Sequence, residues 1–396
     1  MATYKEQNKL NVPHLRFPEF HGEWCISTIG EQFDLYSGNT PSRLNKEHFE
    51  GNVNWITSGE LKEHYISDTK EKISEDAATA NNLKLLHPGT FVIAIYGLEA
   101  DGVRGTGSIT CKESTISQAC MAFTQKGDVK NEFLYSWYKK HGNIIGIKYA
   151  QGTKQQNLSY EILEKFHIAY PSQDEQDKLI KFISLLDERI ATQSKLIEKL
   201  ESLIKGIVDS TISCKPKNST IGYVCSVSEQ IKAVPNFDDI ITVRLHGKGV
   251  CKSSVENLQL GATQYYHRKA GQLIYGKQNF HNGAIGIVPE NLNNAITSKD
   301  IPSFDIKSSK CNPLYLLIQL QSPHYYKPAE SLTTGTGSKR LKEETFLKMP
   351  IFLPDKERQD SIATLISSIM MKLNKADKTL NLLIKQKQYL LRQMFI

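Results

Sequence analysis

A chain of 396 residues with 39% hydrophobic and 23% charged side chains has material for two or three globular domains. No apolar run reaches the roughly 18–20 residues that a membrane span requires, which excludes a helical membrane protein. The formal net charge of +7 is uneven: residues 1–213 carry 24 basic and 28 acidic groups, residues 214–396 carry 25 and 14, so a polyanion partner or an ordinary basic surface fits the second half.

The polar start, "MATYKEQNKLNVPHLRF", has no apolar signal core, and a cytoplasmic location is the expectation. The first distinctive stretch is Tyr36 to Leu61, "YSGNTPSRLNKEHFEGNVNWITSGEL". Thr40, Ser42 and Arg43 form a polar, turn-prone loop after a strand, a candidate for nucleic-acid contact. Trp55 to Gly59 reads as strand into turn, with Trp55 better suited to the core than to stacking on a base. "HPGTFVIAIYG", His87 to Gly97, is a buried strand behind a proline-glycine turn. The glycines of "GVRGTG", Gly102 to Gly107, lack dinucleotide-binding spacing and suit turns, and they present Arg104.

"GTKQQN", Gly152 to Asn157, precedes the first long helix. Its glycine permits close backbone approach. Thr153 and Lys154 suit phosphate, while Gln155 and Gln156 have the amide groups that pair with adenine edges. A solvated turn is the plain alternative. Pro171 then closes an extended segment and acidic and polar residues open a helix at about 174–208, suited to its positive end. Leu179, Ile183, Leu186, Ile190, Ile197, Leu200, Ile204 and Ile207 recur at steps of four and three, broken only at Gln193. A period of 3.5 held this long is a coiled-coil seam.

The second half is basic in patches. "VRLHGKGVCKSS", Val243 to Ser254, gathers Arg244, His246, Lys248 and Lys252 on a glycine-hinged loop suited to phosphate. "KAGQLIYGKQ", Lys269 to Gln278, holds a strand and Lys277. It nearly spells a phosphate-binding loop but lacks the hydroxyl residue after the lysine. "GTGSKR", Gly335 to Arg340, offers Ser338, Lys339 and Arg340, and a second helix follows at about 357–392. Its seam is Ile362, Ile366, Ile369, Leu373, Ala376, Leu380, Leu383 and Leu390, with Lys387 as the break.

These halves are one pattern written twice. Pro171 and Pro354 lie 183 apart (354 − 171), and at that offset Gly152-Thr153, Leu158, Ile168 and Gln176-Asp177 fall on Gly335-Thr336, Leu341, Ile351 and Gln359-Asp360. Each helix of roughly 35 residues spans about 50 Å and needs a partner for its stripe. Pairing within the chain, antiparallel about an approximate two-fold axis, satisfies both and places a head at each end. The expected fold class is α+β, with mixed α/β heads: 1–151 the first head, 152–213 its helical region, 214–334 the second head, and 335–396 the second helical region.

No zinc-binding H-E-x-x-H, no G-x-S-x-G elbow and no methyltransferase Asn-Pro-Pro-Tyr loop is present; "NPLY" at Asn312 lacks the second proline. The seven cysteines include no C-x-x-C pair, so reduced thiols are expected and no metal site. A binding protein without catalysis is the expected class. A coiled-coil scaffold whose heads bind protein stands as the alternative, and a nuclease head as a remote one.

"SGNTPSR…GNVNWITSGEL", "GTKQQNLSYEILEKFHIAYPSQDEQDKLIKFISLLDERI" and "GTGSKRLKEETFLKMPIFLP" with its closing helix resemble the specificity subunits of bacterial type I restriction–modification systems. The resemblance runs from about Phe17 to Ile396 in order, spacing and duplication. It implies two target-recognition domains that each read half of a split, asymmetric target on double-stranded DNA. It implies that the paired helices space them and dock two modification (methyltransferase) subunits, with restriction (translocase and nuclease) subunits joining. It also implies no cofactor on this chain, with S-adenosylmethionine, ATP and Mg on the partners. The shared elements are the helices and the segments Gly152 to Leu158 and Gly335 to Leu341. The second head has no copy of the "NTPS" loop, so its contacts do not carry over.

Overall fold

The computed structural model describes residues 11–100, 102–152, 156–234, 236–253, 263–335 and 339–396. The chain divides into two units: residues up to Ser194 together with Lys378–Ile396, and Lys195–Asp377. The two long helices, Gln173–Val208 and Lys356–Met394, each contribute one half to each unit. The crossings at Lys195 and Lys378 repeat the offset of 183. No helix among the described residues is long and apolar enough to cross a membrane.

In the first unit a five-stranded sheet runs in the order Phe33–Ser37, Cys120–Gln125, Phe91–Ala94, Gly107–Thr110 and Tyr65–Ile66. Phe91–Ala94 is central because it is apolar on both faces, and Phe91, Val92, Ile93 and Ala94 are all buried. The turn before it uses Gly89 at φ +86°. A three-stranded sheet, Lys72–Ile73, Val53–Ile56 and Ser114–Ile116, carries Trp55, which is buried as expected of a core residue. Helix Asn131–Tyr149 packs Tyr135 and Tyr138 against Phe91 and Phe133 against Trp24 and Phe395.

The second unit has the same outline and different detail. A four-stranded sheet orders Cys225–Val227, Ser303–Ile306, Leu273–Tyr275 and Ile285–Ile287, and a three-stranded one orders Lys232–Ala233, Tyr265–Arg268 and Ala295–Ser298. A hairpin, Ile241–Val243 with Val250–Lys252, forms a two-stranded sheet packed on Ile274 and Ala295, and helix Pro313–Leu320 takes the place of the longer helix of the first head. Arg268 is fully buried, and its guanidinium donates to Thr297 Oγ1, Ser303 Oγ and the Ile301 carbonyl. That makes it a core strut.

Within each unit the helices run antiparallel. Leu179, Ile183 and Leu186, early in the first helix, share a core with Leu390, Leu391 and Met394, late in the second. In the other unit Ile204, Ile207 and Val208 share a core with Ile362, Ala363 and Ile366. Ile369, Ala376 and Leu383 are also buried, and Ile190, Ile197, Leu200, Leu373 and Leu380 are half-buried. Lys387, the break in the seam, is not idle: it pairs with Asp187, with 14% and 20% of the two side chains exposed.

Each head is tied to its helix by the same joint. Gln176 and Gln359 are 0% and 1% exposed. The Gln176 amide donates to the carbonyls of Pro171 (3.1 Å) and Asp128 (3.2 Å) and accepts from the Lys130 N–H (3.0 Å). Gln359 donates to Pro354 (2.8 Å) and Lys310 (3.3 Å) and accepts from the Asn312 N–H (2.9 Å). The next residue reinforces it: Asp177 pairs with Lys130 Nζ, and Asp360 accepts from Asn312 Nδ2.

The way into each head repeats as well. Ile29 N–H donates to the Phe166 carbonyl and Ile221 N–H to that of Met349; the two acceptors are again 183 apart (349 − 166), the two donors 192 (221 − 29). A Cβ on Gly30 or Gly222 would come within 3.1 Å of the Glu164 carbonyl or 3.2 Å of the Leu347 carbonyl, so the following glycine of each "TIG" lets the chain lie close.

Candidate nucleic-acid interface

The two loops ahead of the helices are built alike. Gln151 pairs with Asn157 and Thr334 with Arg340 in single antiparallel bridges, so each loop is pinched shut at its base. Gly152 and Gly335 adopt φ +111° and +126°, where a side chain would be strained. The leucine after each loop plugs the core: Leu158 and Leu341 are buried, and their N–H groups donate to the carbonyls of Ile95 and Lys277. The loops are thus presented on rigid stems. Thr153, Lys154, Gln155 and Ser338 lie outside the described residues.

Around these stems the candidate side chains have partners. Gln156 accepts from Arg104 Nη2 at 2.9 Å, and its N–H donates to Glu99 Oε2 at 2.8 Å. The Arg104 stem lies over Gly146, where a Cβ would sit 3.2 Å away. Arg104 Nε is buried and unpartnered among the described residues. In the second unit Arg340 pairs with Asp300 at 3.2 Å and Lys339 with Glu330 at 3.3 Å. All four side chains are about half exposed, and such pairs contribute about 1 kcal/mol or less, so a phosphate can compete for the cations. Lys277 is different: 14% exposed and 2.9 Å from Glu343, it is held as a strut.

The Thr40 to Arg43 loop is also anchored. Arg43 makes a two-pronged pair with Glu71 and lies 4.6 Å over the Phe49 ring and 5.5 Å over Trp55. The Glu71 carboxylate holds the guanidinium proton more firmly than usual and is itself held below its ordinary range. Thr40 is half-buried, Ser42 is exposed, and the Ser42 hydroxyl accepts from the Leu44 N–H.

Arg244, His246 and Lys248 sit together on the turn of the second unit's two-stranded hairpin, all exposed. His246, Gly247 and Gly249 have φ of +59°, +68° and +76°. The turn is clamped by His246 N–H to the Asn282 carbonyl (2.7 Å) and Gly247 N–H to that of Gly283 (2.9 Å). Arg244 Nε donates to Cys251 Sγ. Lys252 belongs to the strand, paired with Ile241, rather than to the loop. Lys248 on the turn and Lys252 on the strand behind it have no ion pair among the described residues, so both cations are available to a phosphate.

Sequence reasoning found the loops and missed the joints. Gln176 and Gln359 were visible as a repeat, yet a buried amide aimed at carbonyls 5 to 49 residues away leaves no local signal. The doubled "TIG", Thr28 to Gly30 and Thr220 to Gly222, was the available clue to the second shared element. Among the described residues no group of three or more His, Cys, Asp or Glu is placed to hold a metal ion.

Comparison with known proteins agrees with this layout. The family described as "Type I restriction modification DNA specificity domain" matches residues 21–202. The type I restriction enzyme MjaVIII specificity subunit of Methanocaldococcus jannaschii is 23% identical, over 93% of this chain and 90% of its own length. The solved S subunit of the type I restriction–modification system from M. genitalium has a TM-score of 0.62 at 16% identity, covering 97% of this chain and 99% of that one. A chain solved for the structural basis of complex assembly and conformational transition of the type I R-M system has a TM-score of 0.54 at 13% identity, covering 94% and 97%. Residues 21–202 thus match the type I restriction–modification DNA specificity domain, and the chain shares the fold of the solved S subunits along nearly its whole length.

Proposed function

We propose that this chain is the DNA-recognition subunit of a type I restriction–modification complex, without chemistry of its own. Each head reads one half of a bipartite, asymmetric target through its pinched glycine loop and the basic turns beside it. The antiparallel helices set the gap and dock two modification subunits; restriction subunits join them. S-adenosylmethionine, ATP and Mg act on those partners. The observation that carries the reading is the matched pair of loops, Gln151 to Asn157 and Thr334 to Arg340, closed by the same bridge in each unit. Glycine backbone on a rigid stem permits the close approach that base and phosphate contacts need.

The test is genome-wide mapping of methylated adenine in cells with and without the chain. A split motif that vanishes on deletion is expected; an unchanged methylation pattern refutes the reading. One heptad inserted into both helices is expected to change the gap between half-sites, because half-sites on one face of DNA lie about 34 Å apart per turn. An unchanged gap overturns the spacer role alone.

A further inference from the structure

We propose that Gln176 and Gln359 are positioning residues, each fixing the angle at which its own head leaves the long helix and each guarding fidelity at one half-site. The inference rests on the DNA-reading role above. It starts from the chemistry of the joint. Both side chains are buried, yet each meets three peptide groups: the proline carbonyl at the lead-in to the helix, and a carbonyl and an N–H just before the head's own helix. Two donors and an acceptor at one end of a neutral side chain describe an amide and no other group. A glutamate would aim lone pairs at two carbonyls. An asparagine is one methylene too short.

Stability alone would not need this device. An apolar side chain of the same shape can replace a buried hydrogen-bonded group at small cost if its partners are replaced too, whereas bonds to three separate peptides fix direction and rotation. The two heads differ in strand number and order, and yet this joint is the same atom for atom. The lever is long. A reading group about 20 Å from the joint, a fair distance in a head of this size, moves about 3.5 Å for a tilt of about 10°. That is about one base step of 3.4 Å.

The experiment expresses the full chain with its modification partners and maps methylated adenine for wild type, Gln176→Leu and Gln359→Leu. Each substitution keeps the bulk and removes the bonds. Gln176→Leu is expected to raise methylation at sites mismatched in one half by about tenfold, with the other half unchanged. Gln359→Leu is expected to do the converse. Equal loss or relaxation at both halves marks a general structural role and overturns the proposal, as does no change. If either variant does not fold, judged by amide exchange in Phe91–Ala94 or Leu273–Tyr275, Asp177→Asn and Asp360→Asn loosen the same joints from the solvent side and are read by the same outcomes. A wild-type chain that directs no split motif refutes the DNA-reading role instead, so the two failures are distinct.

Discussion

His64 makes the first unit's stability depend on pH in a direction that can be worked out. Its ring, 11% exposed, is stacked between Tyr65 (4.1 Å) and Tyr135 (4.0 Å). Nε2 lies 2.8 Å from Glu132 and Nδ1 3.2 Å from Asp187, whose carboxylate also holds Lys387. The cluster therefore joins a head strand, the head helix and both long helices. Burial alone would push the imidazole down, but the Asp187 and Glu132 carboxylates outweigh it and its pKa is raised. Burial opposes the Asp187 charge too, and His64 and Lys387 outweigh it to leave that carboxyl lowered.

A raised histidine stabilises fully below its unfolded value, about 6.5, and loses that contribution as pH rises through the folded value. A lowered aspartate stabilises above about 3.9 and loses it as pH falls through its folded value. The cluster is strongest between the two. Asp187→Asn strands a buried Lys387 and His64, and breaking such a pair costs about 3–5 kcal/mol. The low end, about 3 kcal/mol, applies because 14–20% of the Lys387–Asp187 pair remains open to water. The assay is amide exchange in peptides of Asn131–Tyr149 at pH 6 to 7.5, which reports opening of this unit alone. Staying below Lys139, which burial and Lys387 bring down to about 8, keeps that group out of the measured slope. The expected result is a loss of about 3 kcal/mol at pH 6 and a flatter pH slope. A loss under about 0.5 kcal/mol, the size of a surface change, with an unchanged slope refutes the reasoning.

Ile366, fully buried at the seam, is expected to cost about 2–5 kcal/mol as Ile366→Ala. Leu382→Ala, 67% exposed, should cost under about 0.5, both read by amide exchange in the second long helix. Lys248→Ala with Lys252→Ala should flatten the dependence of duplex affinity on salt by about 0.9 for each phosphate the two lysines neutralise, measured by titration at several salt concentrations. Gly283→Ala should lose about 1–3 kcal/mol of stability in thermal unfolding and weaken duplex binding. Its φ is +76° and its Cβ would stand 2.9 Å from the Gly247 amide, beneath the basic turn.

The long helices, their seam and the 183-residue repeat were legible because each is a periodic or local property. Leu179 to Ile207 needs only spacing to be read. The partners were not legible. Arg43 in its polar loop and Lys277 just after its strand both looked like free cations, and Glu71 and Glu343, 28 and 66 residues on, hold them. Lys387 read as a defect in the seam, while its partner Asp187 lies 200 residues earlier. Gln176-Asp177 read as ordinary polar residues at the start of a helix, and only the folded chain brings Asp128 and Lys130 to them. What sequence shows poorly is which charge or amide is already spent within the protein.

The division between what the units share and what they do not bears on the target. They share the elements that set direction: the entry glycines, the pinched loops, the glutamine joints. They differ where a ligand would be met. The first loop's base carries Gln156 and Arg104, an amide with a guanidinium; the second carries Lys339 and Arg340, each on an exposed carboxylate. Identical loops on a duplicated frame would read a palindrome, the same half-site twice. Unlike groups on matched loops suit two unlike halves, so on the proposed function an asymmetric target is the expectation from the side chains at the loop bases.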